Sequence, residues 1–299
     1  MDRWMVEFAP QLTALVELGA QSGSMTATAE ALGVAQSSIS RRLHALESAL
    51  GVPLLIRDGR TVRLTSQAES LIADCAGPLA ALERAVTRAT AAADPESGTV
   101  RFGFPLTMGA GAVPELLAAF HHRHPRIHLE LKQAHGAELV ADLEAGALDL
   151  AITIPPAEHL RHRELGEQEI VLAVPERHRL ASRAAVDLAD LAGEVFIANP
   201  PSYNLRHLTE AWCREAGFHP DVAIEITEFT TIRELVERGL GVALLPRAAT
   251  TDVGIVEIPV SSPQLRRSAA MAWPTDVTTP AVDLLAAFLL DEFGGLSTA

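Results

Sequence analysis

Between Ser24 and Leu64 the chain runs SMTATAEALGVAQSSISRRLHALESALGVPLLIRDGRTVRL, and the spacing in this stretch constrains the fold more than any other part of the sequence. Ser24 or Thr26 can cap a short helix through Ala27, Ala29 and Leu32, which Gly33 closes by taking a left-handed conformation. A further helix starts near Gln36 and carries Ile39, Leu43, Leu46 and Leu50 on one face until Gly51 ends it. Two short helices joined through Gly33 and Val34, with a small Ala29 allowing close approach, form a helix-turn-helix pattern over about 25–44. The second helix of such a pair is free to lie in a major groove. An earlier helix is expected over 9–22, from Leu12, Leu15, Val16 and Leu18. After the pair, residues 54–57, a D-G turn at Asp58-Gly59 and residues 61–64 predict a two-stranded wing over about 54–64.

Charge first argues against nucleic acid, because the 299-residue chain carries a formal net charge of −14. The distribution reverses that argument. Residues 1–66 hold six basic and six acidic side chains, so the whole deficit lies in 67–299. Within 36–66 the arginines Arg41, Arg42, Arg57, Arg60 and Arg63 face only Glu47 and Asp58, a local excess of three positive charges. At the front of the expected recognition helix, Gln36 can pair with adenine, Arg41 and Arg42 with guanine, and Ser37, Ser38 and Ser40 with phosphate or base. Arg57, Arg60 and Arg63 stand where a wing would meet the phosphate backbone. A merely solvated helix face is the competing interpretation of the same residues.

Ile72, Cys75, Leu79, Leu82 and Val86 then recur at heptad spacing, predicting a helix over 67–94 that pairs with a second copy, kinked or broken at Gly77-Pro78. Residues 91–98 have loop composition and place a domain boundary there, dividing the chain into 1–66, 67–94 and 95–299. Beyond this point strand and helix patterns alternate, which predicts βαβ units and a parallel sheet. A late strand near Arg267 to Trp273 and a final helix return the chain, so two lobes are expected, about 98–160 with 268–299 and about 161–267, with a cleft between them.

Candidate ligand groups follow from that geometry. Thr107, His135 and Thr153 follow strands of the first lobe; Asn199, Ser202 and Tyr203 follow one in the second; Thr230 and Thr231 open its last helix. Hydroxyls and free amides at converging helix starts suit a small polar anion, although each threonine or serine among them is equally an ordinary helix cap. Gly109 and Gly111 lack the third glycine of a dinucleotide fingerprint, position 114 being proline, so no cofactor is expected. His121, His122, His124 and His128 flank Pro125 at a helix end and are read as solvated rather than as metal ligands. No GxSxG, HExxH or P-loop occurs, hence no catalytic residues. Cys75 and Cys213 stand in no CxxC and are read as buried structural thiols. The most apolar stretch, 281–290, is short and contains Asp283, so no membrane association is expected, and the N-terminus has no export pattern, which suggests a cytoplasmic protein.

The segment 23–64 resembles the DNA-binding region of the LysR-type transcriptional regulators, and the likeness continues downstream. It is carried there by Arg101-Phe102-Gly103, by Phe120 with Pro125, by residues 146–152 (GALDLAI) and by residues 239–246 (GLGVALLP). The resemblance implies an α/β protein with an N-terminal winged helix-turn-helix, a dimerising linker helix and a two-lobed, periplasmic-binding-protein-like effector domain, assembled as a homotetramer on promoter DNA. It further implies that a small-molecule effector alters the relation of the DNA-binding heads. Ala35 and Ser37 depart from the Ser and Pro common at these positions in the family, so Ser37 or Ser38 is expected to cap the recognition helix. The rival interpretation is a small-molecule-binding protein or enzyme whose N-terminal helices serve only for dimerisation.

Overall fold

The computed structural model describes residues 3–58, 61–91, 96–109, 111–248, 254–262, 264–274 and 278–296. It divides into two units, Met1–Thr90 with Glu144–Ala147, and Ala91–Leu143 with Leu148–Ala299.

In the first unit α1 (Arg3–Ala20), α2 (Met25–Ala31) and α3 (Gln36–Leu50) pack around Leu15, Leu18, Ala29, Ile39, Leu43 and Leu46, all buried. Ser24 caps α2 by accepting the Ala27 N–H at 3.3 Å, and α3 ends at Gly51, whose φ of 70° is left-handed. Gly23 makes the turn between α1 and α2 at φ +83°, where a Cβ would run into the Val62 carbonyl oxygen. The wing is β1 (Leu55–Asp58) antiparallel to β2 (Thr61–Leu64). Asp58 pairs with Thr61, so the expected Asp58-Gly59 turn shifts: Asp58 is the last strand residue and the connection, 59–60, lies outside the described residues.

α4 (Ser66–Ala91) follows. It runs unbroken past Pro78, so of the kink or break expected there the break does not occur. A proline costs a long helix one N–H bond, and the turns on either side hold the remaining ladder. Along the heptad face Ile72, Cys75 and Leu79 are half-buried, whereas Leu82 is 46% exposed.

The second unit is built on β3 (Gly98–Pro105), α5 (Ala112–Arg123), β4 (Ile127–Ala134), α6 (Gly136–Glu144) and β5 (Leu150–Thr153), followed by the 15-residue β6 (Arg161–Pro175). The chain continues through β7 (Val186–Asp187), β8 (Val195–Ala198), α7 (Asn204–Glu215), β9 (Asp221–Glu225), α8 (Phe229–Glu237) and β10 (Ala243–Pro246). It closes with β11 (Ile255–Ser262), β12 (Arg266–Trp273) and α9 (Pro280–Leu296). One sheet has the order β4-β3-β5-β12-β6-β11-β7 with β10 also on β6, and β8 pairs with β9 separately.

The sheet is mixed rather than parallel. β3 is parallel to β4 and β5, but β12 runs antiparallel to β5 and β6, and β10 and β11 run antiparallel to β6. The cause is the return of the chain: β6 carries it out of one half and β12 carries it back alongside, which requires opposite directions. One core holds Phe102, Phe120, Ile152, Met271 and Leu285; another holds Leu172, Leu188, Phe196, Cys213 and Ile258. The RFG and GALDLAI segments are joined by a single carboxylate. Asp149, 6% exposed, accepts from the Arg101 backbone N–H at 2.9 Å, from Nε at 3.1 Å and from Nη2 at 3.0 Å. The two oxygens of a buried carboxylate are thereby satisfied by a fork-shaped cation and a main-chain donor.

Candidate functional site

Two regions of the molecule present chemistry outward. The first is the front of α3. Its N-cap is Ala35, with no side-chain cap, so neither Ser37 nor Ser38 takes that role; both lie inside the helix, beyond the position from which a side chain can reach the first free amides. Ser38 Oγ instead accepts from Arg41 Nη2 at 3.2 Å, and Arg41 Nε reaches the Ser37 carbonyl at 3.4 Å. With Ile39, Leu43 and Leu46 facing the core, the other residues of these turns face away: Gln36, Ser37 and Arg41 are exposed, while Ser38, Ser40 and Arg42 are half-buried. On the wing, Arg63 is exposed opposite Ile56, and Arg57 lies opposite Val62. The Arg57 side chain and all of Arg60 lie outside the described residues.

A residue without an assigned role in the sequence links the wing to α3. Glu47 Oε1 accepts the Leu54 and Leu55 N–H groups at 2.9 and 3.1 Å, and its Oε2 lies 3.1 Å from His44 Nδ1. Burial by itself would raise this carboxyl, but the Leu54 amide, His44 and the Leu55 amide outweigh it and hold the group below the ordinary carboxylate value.

The second region is a cavity of about 520 Å³ in the C-terminal unit. Of the residues expected to contact a ligand, it gathers Thr107, His135, Ser202 and Tyr203. Thr107 sits in a short 3-10 turn after β3, His135 immediately precedes α6, and Ser202 and Tyr203 immediately precede α7. The His135 and Tyr203 rings meet at 5.3 Å between centroids, tilted by 44°. Burial, with the nearby Glu228 and Glu138 carboxylates, raises the Tyr203 hydroxyl above its ordinary value.

The other four expected ligand residues are not brought there. Asn199 is buried and donates Nδ2 to the Ile226 and Thr227 carbonyls at 3.1 and 3.4 Å, a structural tie between strand ends. Thr153 is fully buried as the last residue of β5 and does not line the cavity. Helix α8 begins one residue earlier than Thr230, with Glu228 at the N-cap position making no side-chain cap bond, so Thr230 and Thr231 are its second and third residues and do not open it. Thr230 faces a different cavity, of about 860 Å³, and Thr231 lines neither.

The residue that sequence reasoning missed is Arg267, which the sequence presents only as part of the return strand. It is 9% exposed, lines the first cavity, and donates Nε and Nη2 to Gln168 Oε1 at 2.8 and 2.6 Å and Nη2 to Thr107 Oγ1 at 3.0 Å. Neither partner is ionised, and burial alone pushes the guanidinium down to about 10. The larger cavity differs, because its arginines are matched: Arg233 Nη1 to Glu257 at 2.6 Å and Arg247 Nε to Glu169 at 2.7 Å. The signal in the sequence was the register of β12, where Arg266 points out and Arg267 points in before a run of small and apolar residues.

His121, His122 and His128 are exposed, and His124 stacks on Phe120 at 4.8 Å. Among the described residues no group of three His, Cys, Asp or Glu is placed to hold a metal ion, and no helix is long and apolar enough to cross a membrane.

Comparison with known proteins matches residues 11–69 to "Bacterial regulatory helix-turn-helix protein, lysR family" and residues 93–294 to "LysR substrate binding domain". The uncharacterized HTH-type transcriptional regulator YybE of Bacillus subtilis is 32% identical over 83% of this chain and 86% of its own length. The transcriptional dual regulator GltC of the same organism is 31% identical over 80% and 81%. Among solved structures, full-length OxyR from Pseudomonas aeruginosa superposes with a TM-score of 0.75 at 24% identity, covering 95% of this chain and 94% of that one, a likeness of fold. The effector-binding domain of QuiR in complex with shikimate gives a TM-score of 0.62 at 25% identity over 67% of this chain and 98% of that one.

Proposed function

The chain belongs to the LysR family of transcriptional regulators, proteins that bind specific DNA and answer to a small-molecule effector, and from that premise we propose which of its residues do each task. Helix α3 enters the major groove with Gln36, Ser37, Ser38, Ser40, Arg41 and Arg42 at its leading end, while Arg57, Arg60 and Arg63 of the wing hold the phosphate backbone. The outward display of these residues, with the apolar side of α3 committed to the core, supports that assignment. Two chains pair through the heptad face of α4, where Leu82 remains exposed in the single chain, and pairs assemble into a tetramer. With a net charge of −14, the chain's hold on DNA depends on several heads engaging together more than on overall attraction. These tasks place the protein in the cytoplasm, with the DNA.

The effector is a small anion held in the 520 Å³ cavity. The observation that carries this reading is Arg267: a buried cation with only neutral partners is costly, and the deficit is relieved when an anion arrives. The shikimate held by the related QuiR domain is an organic acid, which agrees with it. Thr107 and His135 come from one half of the unit and Ser202 and Tyr203 from the other, so a ligand touching all four favours one spacing of the halves.

Some relatives, such as OxyR of Escherichia coli, are 29% identical, and hydrogen peroxide-inducible activators stand among them. The state of Cys213 favours a bound effector over peroxide. Cys213 is fully buried, and burial with the Glu210 charge pushes it up to about 12, which leaves almost no reactive thiolate at neutral pH.

The test is binding of the full-length protein to the DNA upstream of its own coding region, followed by fluorescence anisotropy over a salt series with and without organic acids and their neutral amides. Sequence-selective, salt-dependent binding modulated by acids alone is the expected outcome. Binding equal to that of random DNA would overturn the α3 assignment, and modulation by amides alone would overturn the anionic effector.

A further inference from the structure

The charge pattern of the effector cavity is more specific than a preference for anions, and what it implies rests on the assignment of that cavity to the effector. Among the described residues lining the cavity, Arg267 is the only lysine or arginine and Glu158 the only acid. A ligand with two negative groups would therefore set one against Arg267 and leave the other no permanent cation, only the imidazoles of His135, His159 and His207, on a wall that already carries the Glu158 carboxylate. The volume points in the same direction. About 520 Å³ lies within the range of sites that enclose an organic molecule and far exceeds what an inorganic oxyanion fills.

The rest of the lining is predominantly apolar, including Val140, Ile154, Pro156, Leu205 and Phe229. Gly136, at the start of α6, lies so near the Ile154 carbonyl that a Cβ would stand 2.6 Å from that oxygen, so only glycine fits at this point of the lining. Apolar surface of this kind gains most from a ligand body that loses little by leaving water.

We propose that the cavity takes an organic monoanion with a compact apolar body, its single carboxylate seated on Arg267 and Thr107 and its body against Ile154, Leu205 and Phe229. Gln168 and Thr107 engage Nε and Nη2 of the guanidinium, so the carboxylate meets it through Nη1, and Thr107 Oγ1, 3.0 Å from Nη2, supplies a hydroxyl beside it. The proposal implies an unusual stability signature. Arg267 is retained for the ligand at the expense of the empty protein, so removing its charge leaves the empty protein no less stable while abolishing ligand binding.

The experiment uses the full-length protein and follows thermal unfolding with benzoate and 3-phenylpropionate as monoanions, succinate and sulfate as dianions, and benzamide as the neutral counterpart, each at millimolar concentration. The monoanions are expected to raise the melting temperature and the others to leave it unchanged. Arg267→Met is expected to melt no lower than the parent protein and to bind the monoanions roughly tenfold to a hundredfold more weakly, through loss of a charged hydrogen-bonded anchor. Arg267→Lys, which keeps the charge without the fork, should retain part of the response. If succinate or sulfate stabilises more than either monoanion in an Arg267-dependent way, the anionic effector stands and the monoanion assignment falls. If benzamide stabilises equally and Arg267→Met makes no difference, the anionic effector falls as well. A lower melting point of empty Arg267→Met, or no response to any monoanion, also counts against the proposal.

Discussion

Glu47 Oε1 accepts the backbone N–H of Leu54 at 2.9 Å, tying the end of the recognition helix to the strand that begins the wing. One carboxylate therefore fixes the angle between the two elements assigned to groove and backbone.

Glu47→Gln keeps the shape but removes the charge that strengthens these bonds, and is expected to destabilise the N-terminal unit by about 1–2 kcal/mol. The carboxyl lies below its ordinary value of 4.5 in the folded protein. Its contribution is thus fully present above that value and lost as pH falls through the folded value. Denaturant melts at pH 7 and near pH 4 should differ by less in Glu47→Gln than in the parent; equal pH dependence of the two would show that the carboxylate contributes nothing.

Arg41→Ala and Arg42→Ala separate reading from holding. Removing a side chain that reads a base should cost about 1–3 kcal/mol at the cognate site and relax preference at one position, whereas removing one that holds a phosphate should weaken binding to all sequences and lower the salt slope by about one. Anisotropy titrations on cognate and scrambled duplexes over a salt series distinguish these outcomes, and no change in either variant contradicts the interface.

Gly23→Ala should be among the most damaging substitutions in the N-terminal unit. Its φ of +83° disfavours any side chain, and the new Cβ meets the main-chain oxygen of Val62, which cannot swing aside. A destabilisation of about 2 kcal/mol or more is expected from strain and overpacking together, measured by chemical denaturation. Gly51→Ala, with a similar φ of 70° but open space around it, should cost about 1 kcal/mol.

Leu82→Asp tests the pairing of α4. A leucine 46% exposed in one chain and buried against a second copy contributes about 1–2 kcal/mol per chain, so the dimer should dissociate at concentrations at least tenfold higher than the parent. Sedimentation velocity reads this directly, and an unchanged profile would move the dimer interface elsewhere.

Cys213 should resist thiol reagents in the native protein at pH 8 and react fully on unfolding, since it is fully buried and that burial, with the Glu210 charge, pushes its thiol up to about 12. Rapid native modification of both cysteines would revive a redox role.

Much of the molecule was legible in the order of residues. The positions of Gly33 and Gly51, the inward steps of Ile39, Leu43 and Leu46, and the strand alternation around Asp58 are local rules, and each acts within a few residues of itself. The helix over Asn204–Glu215 followed from the same kind of periodicity. Direction was harder: β10, β11 and β12 run antiparallel to β6, because sheet direction depends on which strands become neighbours and not on their own patterns.

The proposed ligand groups divide along the same line. That Thr107, His135, Ser202 and Tyr203 line one cavity follows from a rule visible in the sequence, a strand end followed by a helix start, while Asn199 and Thr153 satisfy the same rule and are buried outside it. The sequence by itself determined that a helix-turn-helix with a wing precedes a two-lobed α/β unit, since those choices are made by periodicity and turn residues within short windows. Only the tertiary structure decided that Arg267 is the one arginine or lysine among the described residues of the cavity lining. Its isolation from any carboxylate depends on Gln168 and Thr107, 99 and 160 residues away in the chain, and burial without a counter-charge is a property of packing.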